Sequence, residues 1–168
     1  MQLSLKSKKT LKALTKLLIK LAMITIALWL ALTFVFGVFR LNGNNMYPML
    51  KDGDLCITYK LDDYYTGDIV AYQVDDGIRF GRIVGRIGDT VDGDEEGLLI
   101  NGARVTEEIF YTTNMIDIDL ELPVTLGEDE FVVLNDYREN AYDSRTYGVI
   151  TKNKLKGKVI FIFRRRGF

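Results

Sequence analysis

From Leu21 to Phe39 the chain runs nineteen residues without a charge, LAMITIALWLALTFVFGVF. As a helix this stretch reaches about 28 Å at 1.5 Å per residue, close to the thickness of a hydrocarbon core. Upstream stand Lys6, Lys8, Lys9, Lys12, Lys16 and Lys20, and no acidic residue precedes Lys51. That lysine bias places residues 1–20 in the cytoplasm as a basic segment, residues 21–39 in the membrane as one helix, and residues 40–168 outside. A cleavable signal peptide is the competing reading. Its apolar core is shorter and closes on small residues, whereas this one closes on Val38-Phe39-Arg40, so the sequence favours an uncleaved anchor.

The remainder has its own character. Seven of the 22 basic residues lie in residues 1–40 and none of the 23 acidic ones does, so the part beyond Arg40 carries a net charge of −8. Such a domain is a poor nucleic-acid binder. The closing Arg164-Arg165-Arg166 run is the local exception, a solvated tail or a contact for anionic lipid. The chain has no histidine and one cysteine, which excludes Ser-His-Asp chemistry, the usual zinc sites and an internal disulfide. Cys56 alternates with Leu55 and Ile57 and reads as an apolar strand residue. No metal or small-molecule cofactor is suggested.

Short apolar runs at 55–59, 69–74, 79–84, 98–100, 131–135 and 158–163 predict strands. Turn signals separate them at Asp52-Gly53, Thr66-Gly67, Asp75-Asp76-Gly77, Gly88-Asp89, Asp92-Gly93 and Asn101-Gly102. The fold class is therefore all-β behind a single N-terminal transmembrane helix. The acid-rich segment 103–129 lacks this regularity and reads as a long loop or small subdomain. Its apolar residues Ile109, Phe110, Tyr111, Met115 and Ile116 pack back onto the core or form a partner site.

Four segments carry more than fold. They are Gly43-Asn44-Asn45-Met46-Tyr47-Pro48-Met49-Leu50; Gly67-Asp68-Ile69-Val70; Phe80-Gly81-Arg82-Ile83-Val84-Gly85-Arg86-Ile87-Gly88-Asp89; and the run from Asn135 to Gly148. In this order behind one anchor they resemble the boxes of type I signal peptidases, membrane serine proteases with a Ser-Lys dyad. The resemblance covers nearly the whole chain and implies a signal peptidase-like β-domain.

The departures fall on the chemistry. The resemblance puts the nucleophilic serine at Asn45, whose amide has no useful nucleophilicity, and the general base lysine at Gly81. It puts a serine that orients the lysine at Ala141, and an oxyanion-holding hydroxyl at Gly43. Outside the N-terminal segment the one serine is Ser144, in a box that reads as structural together with Asp136, Arg138, Asp143 and Arg145. Lys51 and Lys60 lie near the first box but occupy no strand that faces Asn45. Asn45, Met46, Tyr47, Pro48, Gly81 and Arg82 are expected to line a cleft that binds peptide without cutting it.

Within the family, the chain is similar to Gram-positive members needed for pilus assembly. That resemblance implies a non-catalytic assembly factor or chaperone at the cell surface, with pilin subunits or a sortase as partners and membrane lipid around residues 21–39. The alternative is a divergent signal peptidase that cleaves leader peptides with a relocated nucleophile.

Overall fold

The computed structural model describes residues 5–74, 77–105, 111–140 and 142–164. Its first element is helix α1, Leu5–Val35, 31 residues long. Residues 8–35 of it are long and apolar enough to cross a membrane. The helix starts well before the expected boundary because Leu, Lys and Ala, all good helix formers, fill residues 11–20.

It also stops earlier than expected. Phe36–Phe39, expected as the end of the membrane helix, belongs instead to strand β1, Phe36–Arg40, which pairs antiparallel with β2 (Leu55–Tyr59) in the register Phe36↔Tyr59 to Arg40↔Leu55. Phe36 and Tyr59 rings meet at 5.5 Å. Burying Gly37 and pairing five residues outweighs extending the helix by one turn. The charge-free part of α1 is thus Leu21–Val35, about 22 Å at 1.5 Å per residue.

The chain divides at this point into two units, residues 1–35 and 36–168. The second holds two sheets. β3 is Ile69–Val74, β4 Gly77–Gly85, β9 Glu130–Leu134, β10 Ile150–Thr151 and β11 Leu155–Phe163, and with β1 and β2 they form a seven-stranded sheet in the order β1-β2-β11-β3-β4-β9-β10. β5 (Thr90–Asp94), β6 (Gly97–Ile100), β7 (Ala103–Arg104) and β8 (Val124–Thr125) form the smaller sheet β7-β6-β5-β8.

All six expected strand segments are present within a residue of their bounds, except that β4 starts two residues and β11 three residues earlier. Asp92-Gly93 is not a turn. Gly93 pairs with Leu98 inside β5, and the reversal falls at Glu95-Glu96, where Asp94 Oδ1 accepts the Glu96 and Gly97 N–H groups at 2.8 and 3.1 Å. The Asp75-Asp76 turn lies outside the described residues.

Strand alternation sorts the core. Ile69 and Ala71 of β3 pack on one face with Leu41, Met46, Leu50, Cys56 and Phe80. Val70, Tyr72 and Val74 pack on the other with Ile83, Val133 and Ile150. A third cluster joins β5 and β6 to Val132 and Leu134, and it takes in Met115, Leu120 and Leu126 from the irregular segment, so Met115 packs back onto the core while Ile116 stays exposed. Ile109 and Phe110 lie outside the described residues.

Candidate functional site

The first box is a loop shaped by its own polar groups. Gly43 sits at φ +88°, a conformation that disfavours a side chain, while its N–H donates to Asp52 Oδ1 at 2.7 Å. Asn44 Oδ1 accepts the Asp52 N–H at 3.2 Å, and Asn44 O accepts the Tyr47 N–H at 3.0 Å. Met46 and Leu50 are fully buried and pin the loop to the core. Met46 is thus a core side chain and not a cleft residue, because the tight loop leaves it pointing down into the Leu41, Cys56 and Phe80 cluster.

Asn45 and Tyr47 stay at the surface on different sides of the loop. Asn45 lines an open cleft of about 200 Å³ with Leu41, Asn42, Ile78, Arg79 and Phe80. Tyr47 lines a separate depression of about 430 Å³ with Asn44, Lys51 and Tyr137. The Lys51 amine lies 5.7 Å from the Tyr47 ring centre in that depression, not in the cleft. Pro48 is exposed and is not among the lining residues of either.

Gly81 is buried on β4, paired with Val70. A Cβ there would lie 2.5 Å from Val133 Cγ1, 3.2 Å from the Leu134 carbonyl oxygen and 3.3 Å from Tyr72 Cε1. Its glycine serves the close approach of β9, since ordinary carbon contacts run about 3.5–4.0 Å. Arg82, next along β4, does not line the cleft. Its guanidinium is clamped to Asp136 by bonds of 2.8 and 2.7 Å and donates to the Gly67 carbonyl at 2.8 Å. That clamp ties the second, third and fourth boxes together.

The fourth box is built around a buried ion pair. Asp143 and Arg145 are both almost fully buried and meet at 2.8 Å. Asp143 caps the short helix α2, Ser144–Tyr147, by accepting the Arg145 N–H, and it accepts the Asn135 N–H at 2.9 Å. Arg145 also donates to the carbonyls of Arg138 and Asn140, each at 2.8 Å. A buried pair needs this satisfaction of its remaining donors.

Ser144 Oγ is fully buried and accepts the Val133 N–H at 2.9 Å, a structural use of the hydroxyl. The Arg138 guanidinium reaches Thr113 Oγ1 at 3.0 Å, and Asp136 is held by Arg82. Ala141 lies outside the described residues, as do Arg165 and Arg166.

Sequence reading missed Asn140. Its Nδ2 donates to Asn45 Oδ1 at 3.1 Å, and the Tyr137 N–H donates to the Asn45 carbonyl at 2.9 Å, so the first and fourth boxes meet at Asn45. Nothing local marks this contact, which joins residues ninety-five positions apart.

Among known proteins, the model of the signal peptidase family, peptidase S26, matches residues 14–164. Signal peptidase I S of Bacillus subtilis (strain 168) is 31% identical over 158 residues, covering 83% of this chain and 85% of its own. Signal peptidase I of Bacillus licheniformis is 32% identical over 158 residues, covering 83% and 84%. Signal peptidase IB of Staphylococcus aureus (strain Mu50 / ATCC 700699) is 27% identical over 175 residues, covering 90% of each. The crystal structure of a signal peptidase I from Enterococcus faecalis V583 aligns at 21% identity with a TM-score of 0.49, over 59% of this chain and 98% of that one.

Proposed function

Because the chain belongs to the peptidase S26 signal peptidase family, we propose that it is a non-catalytic member that binds exported polypeptide and assists pilus polymerisation at the cell surface. The observation that carries the reading is the packing at Gly81. The position that family resemblance gives to the general base has no side chain, and Val133 Cγ1 lies 2.5 Å from where its Cβ would be. A side chain there enters only if Val133 shifts. Asn45, at the nucleophile position, holds its side-chain oxygen against Asn140 and offers no ionisable group. Gly43, at the position of the oxyanion hydroxyl, has a backbone that suits glycine.

In this reading the cleft beside Asn45 holds an extended segment of a pilin subunit or of a sortase. Support for its location comes from α1, whose lysines Lys8 to Lys20 precede the apolar stretch and favour a cytoplasmic N-terminus with the β-domain outside.

The test is incubation of the purified full-length protein in lipid nanodiscs with a signal peptide-bearing precursor, beside an active signal peptidase, together with capture of pilin and sortase on the same nanodiscs. The expected result is no cleavage and retention of at least one partner. Cleavage that persists in Asn45→Ala would overturn the reading in favour of a relocated nucleophile. Failure to retain either partner would overturn the assembly role.

A further inference from the structure

The tie between Asn45 and Asn140 fixes the direction of an amide as well as a loop. An Asn side chain accepts at one end and donates at the other, and the surrounding network decides which end faces which way. A backbone N–H only donates, so it fixes which end of a facing amide is the oxygen. The Tyr142 N–H donates to Asn140 Oδ1 at 3.0 Å, so Asn140 turns its Nδ2 toward Asn45, and Asn45 must present its oxygen, at 3.1 Å.

Asn140 is itself held firmly. Its carbonyl accepts from Arg145 Nη2 at 2.8 Å and from Asn135 Nδ2 at 3.0 Å, and its N–H donates to the Tyr137 carbonyl at 3.1 Å. With the oxygen of Asn45 committed, its Nδ2 has no hydrogen-bond partner among the described residues. Asn45 lines the cleft together with Ile78, Arg79 and Phe80 of β4. Those three residues lie beyond the register of β4 with β9, which begins at Arg82↔Leu134.

Resting on the reading of that cleft as a peptide site, we infer that Asn45 is an oriented amide donor whose Nδ2 hydrogen-bonds a backbone carbonyl of an extended peptide lying beside Ile78–Phe80. An extended chain presents N–H and C=O groups alternately toward a neighbouring strand. A fixed donor pairs with the carbonyls and not with the N–H groups, so Asn45 sets the register of the bound segment without reading its side chains. Asn140, with the buried Asp143-Arg145 pair behind it, is the positioning residue that keeps the amide from turning over.

Asn45→Asp separates the two roles of the side chain. It keeps an oxygen for Asn140 and loses the donor, and it sets a carboxylate against the peptide carbonyl. Asn45→Ala loses both. The probes are a fluorescein-labelled decapeptide of alternating Ala and Thr between terminal lysines, and a set in which one central carbonyl at a time is reduced to methylene. Binding is read by anisotropy on the full-length protein in nanodiscs.

The expected result is that Asn45→Asp melts within a few degrees of the wild type yet binds the decapeptide about tenfold more weakly or worse, the cost of a lost donor facing a carbonyl. One reduced carbonyl should weaken wild-type binding by a similar factor and leave Asn45→Ala indifferent. Equal affinities of wild type and Asn45→Asp, or no binding of the decapeptide by the wild type, overturn the inference. Capture of pilin or sortase by the same wild-type preparation reports on the assembly reading, so the two fail separately.

Discussion

Replacing Gly81 by alanine puts a number on how completely β9 occupies the space at that position. The new Cβ would lie 2.5 Å from Val133 Cγ1, at least 1 Å inside ordinary contact distance, with the Leu134 carbonyl at 3.2 Å and Tyr72 Cε1 at 3.3 Å limiting escape to the sides. Overpacking of this kind costs about 1–3 kcal/mol. The lower backbone entropy of alanine offsets about 0.5–1 kcal/mol, leaving a net loss of about 1–2 kcal/mol.

Val133 is fully buried, and Val133→Ala alone should cost about 2–3 kcal/mol through lost burial and a small cavity. In that background the obstructing Cγ1 is gone, so Gly81→Ala should become neutral or mildly stabilising. The coupling between the two changes is then about 2 kcal/mol, well above the roughly 0.3–0.5 kcal/mol scatter of independent sites. The assay is urea unfolding of the full-length chain in mild detergent, followed by the near-ultraviolet circular dichroism of the tyrosines. Additive costs would refute the claim that Val133 fills the space at position 81. Asn45→Ser with Gly81→Lys should fold more stably when Val133→Ala is added, because the truncation frees the space at position 81.

Breaking the buried pair by Asp143→Ala should destabilise the domain by about 3–5 kcal/mol, because it strands the Arg145 charge, and this is read in the same unfolding assay. Ser144→Ala leaves the buried Val133 N–H without its acceptor and should cost about 1–3 kcal/mol. Burial, with the Asp54 carboxylate adding to it, pushes the Cys56 thiol up to about 11 from 9.0. Native protein at pH 8 should therefore resist a disulfide reagent until denaturant is added, and rapid labelling of the folded state would refute its burial. Since the folded value is the higher one, the contribution to stability is intact below about pH 9 and is lost as pH rises toward 11. At the acid end, the hydrogen bond from Lys158 holds the Asp62 carboxyl below its ordinary range, so that contribution is present above the ordinary carboxylate pKa and is lost as pH falls through the lowered one. Lys158→Met should flatten this acid limb.

The sequence by itself determined the elements whose signal is local. A charge-free apolar run specified the helix over Leu21–Val35, and short apolar runs between turn residues specified β2, β3, β4, β6, β9 and β11. The boxes were legible for the same reason, since each is a short run of consecutive residues. Only the tertiary structure decided what those residues touch. Phe36–Phe39 reads as membrane helix until β2 is there to pair with it. Met46 looks like a cleft residue until the loop closes and buries it. That Gly81 is filled by Val133, that Asp143 chooses Arg145, and that Asn45 meets Asn140 all depend on strand register and loop closure between segments up to ninety-five positions apart. Periodicity carries which face of a strand is apolar, but not which distant side chain will lie across from it, because that is set by the free energy of packing the whole domain.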